Sequence, residues 1–270
     1  MKERIQFISC QMFVLCLLLA TTSGYAQTTD NTFTPHSGQA GKDVVWVPTP
    51  QELVDTMLGM AKVTSADYVI DLGSGDGRTV ITAAKLGAKA LGIEYNQDMV
   101  ELARNAAREA GVSERATFEK ADLFESDFSK ATVITMFLLP DINLRLRPII
   151  LDMKPGTRIV SNTFTMDDWE ADQTTYLSDL NVSWTTAFLW IVPAKVDGTW
   201  NLDGGQIRFT QKFQYVTGTL TLGNTKAEIT GKLDGEKITF SVDGTDYKGV
   251  VTGNTMSGMR TGGGAWKAAR

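Results

Sequence analysis

The run Val69-Ile70-Asp71-Leu72 is apolar apart from one carboxylate, and it leads straight into Gly73-Ser74-Gly75-Asp76-Gly77-Arg78, with glycine at every second position. Thr79-Val80-Ile81-Thr82-Ala83-Ala84-Lys85 then has helical composition, so the loop joins a strand to a helix N-terminus. Glycine at such a turn allows positive φ and close backbone approach, while the helix start presents unpaired N–H groups. This is the framework of a nucleotide-type cofactor cradle. The spacing limits which cofactor it can take. A dinucleotide fingerprint needs G-x-G-x-x-G, and Arg78 stands where its third glycine would be. A nicotinamide-dependent oxidoreductase is therefore disfavoured, as it also is by the lack of a scaffold histidine or cysteine.

Around this loop, apolar strands and helical segments alternate. Strands are expected near 68–72, 89–94, 116–121, 131–138 and 157–164, and helices near 78–86, 97–110 and 142–153, the last made irregular by Pro148. Ahead of them, Trp46-Val47-Pro48-Thr49-Pro50 leads into a helix whose Leu53, Met57, Met60 and Ala61 share a face, with Pro50 suited to its first turn. The alternation predicts an α/β fold, a doubly wound and mostly parallel sheet covered on both faces. Ligands of such sheets bind beyond the carboxyl ends of the strands, where the glycine loop falls.

After Pro193 the pattern changes. Period-two runs such as Ile207-Arg208-Phe209-Thr210-Gln211-Lys212-Phe213 are separated by Asp203-Gly204, Asp234-Gly235, Asp243-Gly244 and Gly253-Asn254, which are hairpin signals. Residues 194–270 are expected to form a small all-β unit, a meander curled into a sheet or partial barrel. Phe209, Phe213, Tyr215, Phe240 and Tyr247 would alternate into its core.

The N-terminal segment reads as a targeting signal. Lys2 and Arg4 precede an apolar stretch from Met12 to Ala20, and Gly24-Tyr25-Ala26 offers small residues for cleavage before Gln27. The stretch is shorter than the about 20 residues of a membrane span. Residues 1–26 are thus read as an export signal, with an uncleaved anchor as the alternative, and the mature chain is expected in the periplasm or envelope without stable membrane insertion. Cys10 and Cys16, the only cysteines, both lie in this segment, so the mature chain would have neither disulfides nor thiol chemistry. Residues 27–43, rich in Thr, Ser, Gly, Asn and Asp, are read as a flexible linker, and they hold the single histidine, His36. A histidine triad or a multi-histidine metal site is excluded, and no metal is expected. A net charge of −5 in 270 residues argues against a broad nucleic-acid-binding face.

A cofactor in the glycine loop calls for an acidic residue at the end of the next strand, to accept ribose hydroxyls. Glu94 stands there, 23 residues after Asp71, and Asp122 follows the third strand. The pattern Asp71-Leu72-Gly73-Ser74-Gly75-Asp76-Gly77 resembles motif I of the seven-strand, class I S-adenosylmethionine (SAM) dependent methyltransferases. Across about residues 46 to 165 the likeness extends to Val47-Pro48-Thr49-Pro50, to Phe137-Leu138-Leu139-Pro140, to Asn143-Leu144-Arg145-Leu146-Arg147-Pro148 and to Pro155-Gly156-Thr157-Arg158-Ile159-Val160-Ser161-Asn162. It is closest to a bacterial group of exported methyltransferase-like proteins and more distant from seven-strand lysine methyltransferases.

The resemblance implies a SAM methyltransferase domain over 44–193, with SAM held by Pro48, Thr49, Asp71, Gly73, Ser74, Gly75, Glu94, Asp122, Leu123 and Phe137. Pro48 and Thr49 would close over its methionine end. It also implies methyl transfer to an amine, most plausibly a protein lysine. The alternative is an exported scaffold without turnover, whose β unit binds a partner or an envelope polymer. Leu138-Leu139-Pro140-Asp141 lacks the Asn/Asp-Pro-Pro-aromatic clamp of adenine and small-amine methylases of this superfamily, so a nucleic-acid base is a poor acceptor. About 30 residues after the fifth strand leave little room for a sixth and seventh. Asp141 and Asn143 are candidates to orient an amine, with a helix cap as the equal alternative. No catalytic residue is assigned. Phe137, Phe164 and Trp190 are read chiefly as sheet core, with a substrate groove as the lesser reading, and Arg145 and Arg147 as a solvated face.

Overall fold

The computed structural model describes residues 33–178 and 183–270, and Phe33–Arg270 forms one compact unit. The expected export signal, with both cysteines, lies outside the described residues. Among those described, no helix is long and apolar enough to cross a membrane.

Helix α1 (Gln51–Met60) opens directly after Pro50 and buries Leu53, Val54, Met57, Leu58 and Met60. Strand β1 (Tyr68–Leu72) carries the sequence into the glycine loop, and α2 (Arg78–Lys85) follows it. Then come β2 (Lys89–Glu94), α3 (Gln97–Glu109), β3 (Ala116–Lys120), β4 (Val133–Met136), α4 (Pro140–Leu151) and β5 (Arg158–Asn162). Helix α3 is capped by Asn96, whose side chain accepts from the amides of Asp98 and Met99. Helix α4 starts on Pro140, which needs no N–H there. Asp141 lies in the exposed first turn of α4, and the cap position is held by Leu139.

The sequence leaves little room for further strands, yet two form. Strands β6 (Gln173–Tyr176) and β7 (Thr186–Ile191) are short enough to fit, and β7 enters antiparallel beside β5. The sheet runs β3-β2-β1-β4-β5-β7-β6, with five parallel strands at one side. One face buries Leu53, Val69, Val80, Val100 and Val160 under the first three helices. The other buries Ile70, Leu72, Ile134, Leu146, Trp169 and Trp190 under α4. Packing these apolar faces is what makes the sheet two-sided.

The β unit is a closed barrel where a sheet or partial barrel was expected. Its eight strands are β8 (Gly198–Leu202), β9 (Gly205–Lys212), β10 (Tyr215–Leu222), β11 (Thr225–Asp234), β12 (Lys237–Val242), β13 (Thr245–Thr252), β14 (Thr255–Arg260) and β15 (Ala265–Ala269). Neighbours in sequence pair antiparallel, and β15 returns to β8 through Ala268 opposite Leu202. Closure needs sharp bending, and glycine supplies it: a Cβ on Gly218 would lie 2.0 Å from the Arg208 carbonyl oxygen. Closure also removes the exposed edges of an open meander.

Phe209, Phe240 and Tyr247 join the barrel core, but Phe213 and Tyr215 do not. Phe213 occupies the β9–β10 turn at φ 53° and stacks on Trp169 of the α/β domain, ring centroids 5.8 Å apart. Tyr215 is exposed and bonds Glu170 at 2.9 Å. Period-two patterning assigned both to a barrel face because it cannot register which turn meets a second domain. The same joint includes Gln214 Nε2 donating to the Glu170 carbonyl at 2.8 Å and a Lys232–Asp172 ion pair at 2.8 Å. Arg147, read as part of a solvated face, is half-buried here. It donates to the Met166 carbonyl at 2.8 Å and to Asp168 at 2.7 Å. Arg145 is exposed and lies over the Phe124 ring at 3.6 Å.

Candidate functional site

The glycine loop takes the shape its sequence demands. Gly73, Gly75 and Gly77 have φ of 78°, 53° and 81°, which residues with a Cβ adopt at a cost. The amides of Gly73 and Ser74 both donate to the Ile93 carbonyl, at 2.9 and 3.1 Å, tying the loop to β2. Gly77 also has to be small, because a Cβ there would meet Phe118 at 2.7 Å and Ala103 at 2.8 Å.

Glu94 ends β2 and reaches back into this loop. One carboxylate oxygen accepts from the Gly75 amide at 3.0 Å and the other from Asn96 at 2.8 Å. Each oxygen keeps a further lone pair for a ligand hydroxyl. Asp71 is buried at the end of β1 and accepts from Thr135 Oγ1 at 2.6 Å. Burial, seconded by the nearby Asp76 and Glu94 charges, raises its pKa to about 7 against the pull of Thr135. Asp122 follows β3 and is held below the usual carboxylate range, first by hydrogen bonding to Lys42 and then by the Phe124 amide.

These groups border one pocket at the carboxyl ends of β1, β2 and β4. Pro48, Thr49, Asp71, Gly73, Ser74, Glu94, Asp122, Leu123 and Phe137 all line it. Gly75 does not, because the Trp46 indole covers it: a Cβ on Gly75 would lie 2.3 Å from Trp46 Nε1. Thr49 is fixed from two sides, its carbonyl accepting from Arg78 at 2.9 Å and its hydroxyl from Asn162 Nδ2 at 3.2 Å.

The remaining wall was not foreseen. Residues 33–43, expected to be a flexible linker, lie against the domain. The Gly38 amide donates to the Trp46 carbonyl at 2.8 Å, the Trp46 amide to the Gln39 carbonyl at 2.9 Å, and Lys42 pairs with Asp122. Gly41 to Thr49 thereby form a strap along one side of the pocket. Polar, glycine-containing composition signals no regular structure, and it is silent on such docking.

Phe137 and Phe164, read chiefly as sheet core, are only half-buried, since β4 and β5 end before them. Trp190 does belong to the core. Neither Asp141 nor Asn143 lines the pocket. Asn143 is buried, and its amide instead donates to the Phe164 and Thr165 carbonyls at 3.3 and 3.1 Å.

Known proteins resemble this arrangement. A family model described as the ANTKMT methyltransferase domain matches residues 71–173. A protein-lysine N-methyltransferase from Saccharolobus islandicus (strain REY15A) is 42% identical over 152 residues, 55% of this chain and 94% of that protein. The chain belongs to the class I SAM-dependent methyltransferases. An adenine nucleotide translocase lysine N-methyltransferase from Mus musculus is 34% identical over 104 residues, 38% of this chain and 45% of that protein. Among solved structures, an RNA methyltransferase from Salinibacter ruber in complex with S-adenosyl-L-homocysteine is 45% identical, with a TM-score of 0.53, and covers 56% of this chain and 96% of that one. This methyltransferase thus spans nearly all of the Saccharolobus relative and less than half of the mouse one.

The residues present fit SAM as the cofactor. The Ser74 hydroxyl is buried at the pocket with no hydrogen-bond partner among the described residues, a cost that a ligand group would relieve. Two carboxylates at the ends of adjacent strands suit a ligand bearing hydroxyl, amino and sulfonium groups.

Proposed function

We propose that this methyltransferase uses SAM to methylate the ε-amine of protein lysine, and that it works outside the cytoplasm after removal of residues 1–26. The observation that carries the reading is the convergence of Glu94, Asp122, Ser74 and Thr49 on one pocket beside the glycine loop. When bound, SAM supplies a methyl group on a positively charged sulfonium.

Glu94 would take the ribose hydroxyls, Asp122 and Leu123 the adenine end, and Pro48, Thr49, Gly73 and Ser74 the methionine end. Gly75 would act from beneath, its amide orienting Glu94, and Phe137 would border the reacting end. Methyl transfer to an amine is an in-line displacement, so the protein's task is to align the acceptor and exclude water. The amine has to be neutral to attack. Its proton therefore leaves to solvent before the transfer step.

Lysine as acceptor is supported by the names of the relatives from Saccharolobus and mouse. Its positive charge also suits a chain of net charge −5 better than RNA does. The test supplies methyl-labelled SAM with a lysine-rich peptide, host envelope proteins and host RNA as separate acceptors. Label on lysine ε-nitrogen, located by mass spectrometry, is the expected result. Label on RNA alone would overturn the acceptor assignment. Export is tested by fractionating host cells and sequencing the N-terminus of the protein, which should begin at Gln27.

A further inference from the structure

Beyond the cofactor pocket, three aromatic rings stand together where β4, β5 and β7 meet solvent. Phe137 and Phe164 have centroids 6.0 Å apart, Phe137 and Trp184 6.1 Å, and Phe164 and Trp184 5.6 Å. They come from three separate connections, after β4, after β5 and before β7. Only Phe137 also lines the cofactor pocket, so the trio continues that pocket outwards.

Core packing does not account for them. Trp184 is 42% exposed, and the two phenylalanines are half-buried, although fully buried positions lie one or two residues away at Leu138 and Met166. The backbone beneath them is strained. Thr163, which precedes Phe164, has φ 62°, and Trp184 itself has φ 71°, two of only six non-glycine residues in that region among those described. Left-handed backbone is costly for a β-branched or bulky residue, and it persists where the surroundings enforce it. At Thr163 the surroundings are specific: its amide donates to the Thr186 carbonyl at 2.7 Å and its hydroxyl to Asn162 Oδ1 at 2.8 Å, while Asn143 Nδ2 donates to the Phe164 carbonyl that follows at 3.3 Å.

Exposed, pre-positioned aromatic faces next to a methyl-donor site have a natural ligand in a cation with little hydration. Resting on the lysine reading above, we propose that Phe137, Phe164 and Trp184 form the acceptor subsite for the lysine ε-ammonium, and that this subsite favours amines already carrying methyl groups. An ammonium over a ring face is attracted by the ring quadrupole. Each added methyl group removes one N–H that water would have bonded and adds apolar surface against the rings. The methylated product is therefore held at least as well as the unmodified lysine, and the enzyme proceeds to di- and trimethyl-lysine. Each round forms one N–C bond at the acceptor, breaks one S–C bond of the donor and releases one proton to solvent. Phe164 and Trp184 bind the acceptor directly in this scheme and do not take its proton.

The experiment uses a lysine-rich peptide and the same peptide mono- and dimethylated at one lysine. Kinetics are compared for the wild type, Trp184→Ala, Trp184→Phe and Phe164→Ala, and calorimetry with a trimethyl-lysine peptide is run in the presence of S-adenosyl-L-homocysteine. Trp184→Ala is expected to raise KM for the methylated peptides by about five- to tenfold and to shift products toward monomethyl-lysine, with Trp184→Phe restoring most of the loss. SAM affinity should stay unchanged. Unaltered KM and unaltered product distribution in both alanine variants would overturn the subsite. If the wild type methylates no lysine at all, the proposed function fails instead. The calorimetric arm then decides the subsite alone: trimethyl-lysine binding lost in Trp184→Ala supports it, and no binding to the wild type rejects it.

Discussion

Asp71 is the residue at which fold and function pull hardest against each other. Its carboxyl is buried beside Asp76 and Glu94, and its pKa rises from 3.8 to about 7. For an acid whose pKa is higher in the folded chain than in the unfolded one, the stabilising preference for the protonated form is complete below pH 3.8. It is lost as the pH rises through about 7. Asp71→Asn keeps the shape and removes the charge. In the cofactor-free protein it should raise Tm by about 2–4 °C at pH 8 and by less at pH 5, measured by thermal scans at both values. An equal effect at the two pH values would mean that Asp71 is ionised in neither or in both. The same residue was legible from sequence, because a carboxylate ending an apolar strand before alternating glycines has few other uses. Lys42 and Trp46 were not legible: one sits in a polar segment and the other two residues ahead of a Pro-Thr-Pro turn, and only the folded chain brings them over Asp122 and Gly75.

Among the elements, the strap formed by Gly41 to Thr49 is the part of the site most open to movement. Few buried contacts hold its first half, where the Lys42–Asp122 pair is largely solvent-screened. Cofactor filling the pocket would contact both strap and loop, so trypsin cleavage after Lys42 should slow severalfold with S-adenosyl-L-homocysteine. Gel densitometry over time checks this, and unchanged cleavage would show that the strap does not close on ligand. Strands β1 and β2 and helix α3 matched their sequence signals almost residue for residue, because their apolar patterns marked them. Strands β6 and β7, for which the sequence leaves little room, fit because they are only four and six residues long, and β6, mostly exposed, carries no apolar run to mark it. Barrel closure escaped notice for a different reason: period-two alternation is the same in an open meander and a closed barrel, and the closing pairs are only Ala268–Leu202 and Ala269–Asn201.

Across the whole molecule, the barrel is joined to the α/β domain through Phe213 on Trp169, with Gln214, Tyr215 and Lys232 bonded around them. None of these residues lines the cofactor pocket. Phe213→Ala should therefore lower unfolding stability by about 2 kcal/mol, the loss expected for a partly buried aromatic ring, while leaving SAM affinity as it was. Denaturant melts and calorimetry on the same preparation separate the two effects. A change in SAM affinity would show that barrel and pocket are coupled.

The central claim is that the pocket closed by Glu94 and the glycine loop holds SAM, and titration calorimetry of SAM into the full chain, beside Glu94→Ala and Glu94→Gln, tests it most directly. Saturable one-site binding is expected in the wild type. It should weaken at least about tenfold in Glu94→Ala through loss of a charged hydrogen-bond acceptor, and less in Glu94→Gln, which keeps one oxygen for the Gly75 amide. Absence of binding up to millimolar SAM, or equal affinity in all three proteins, would contradict it.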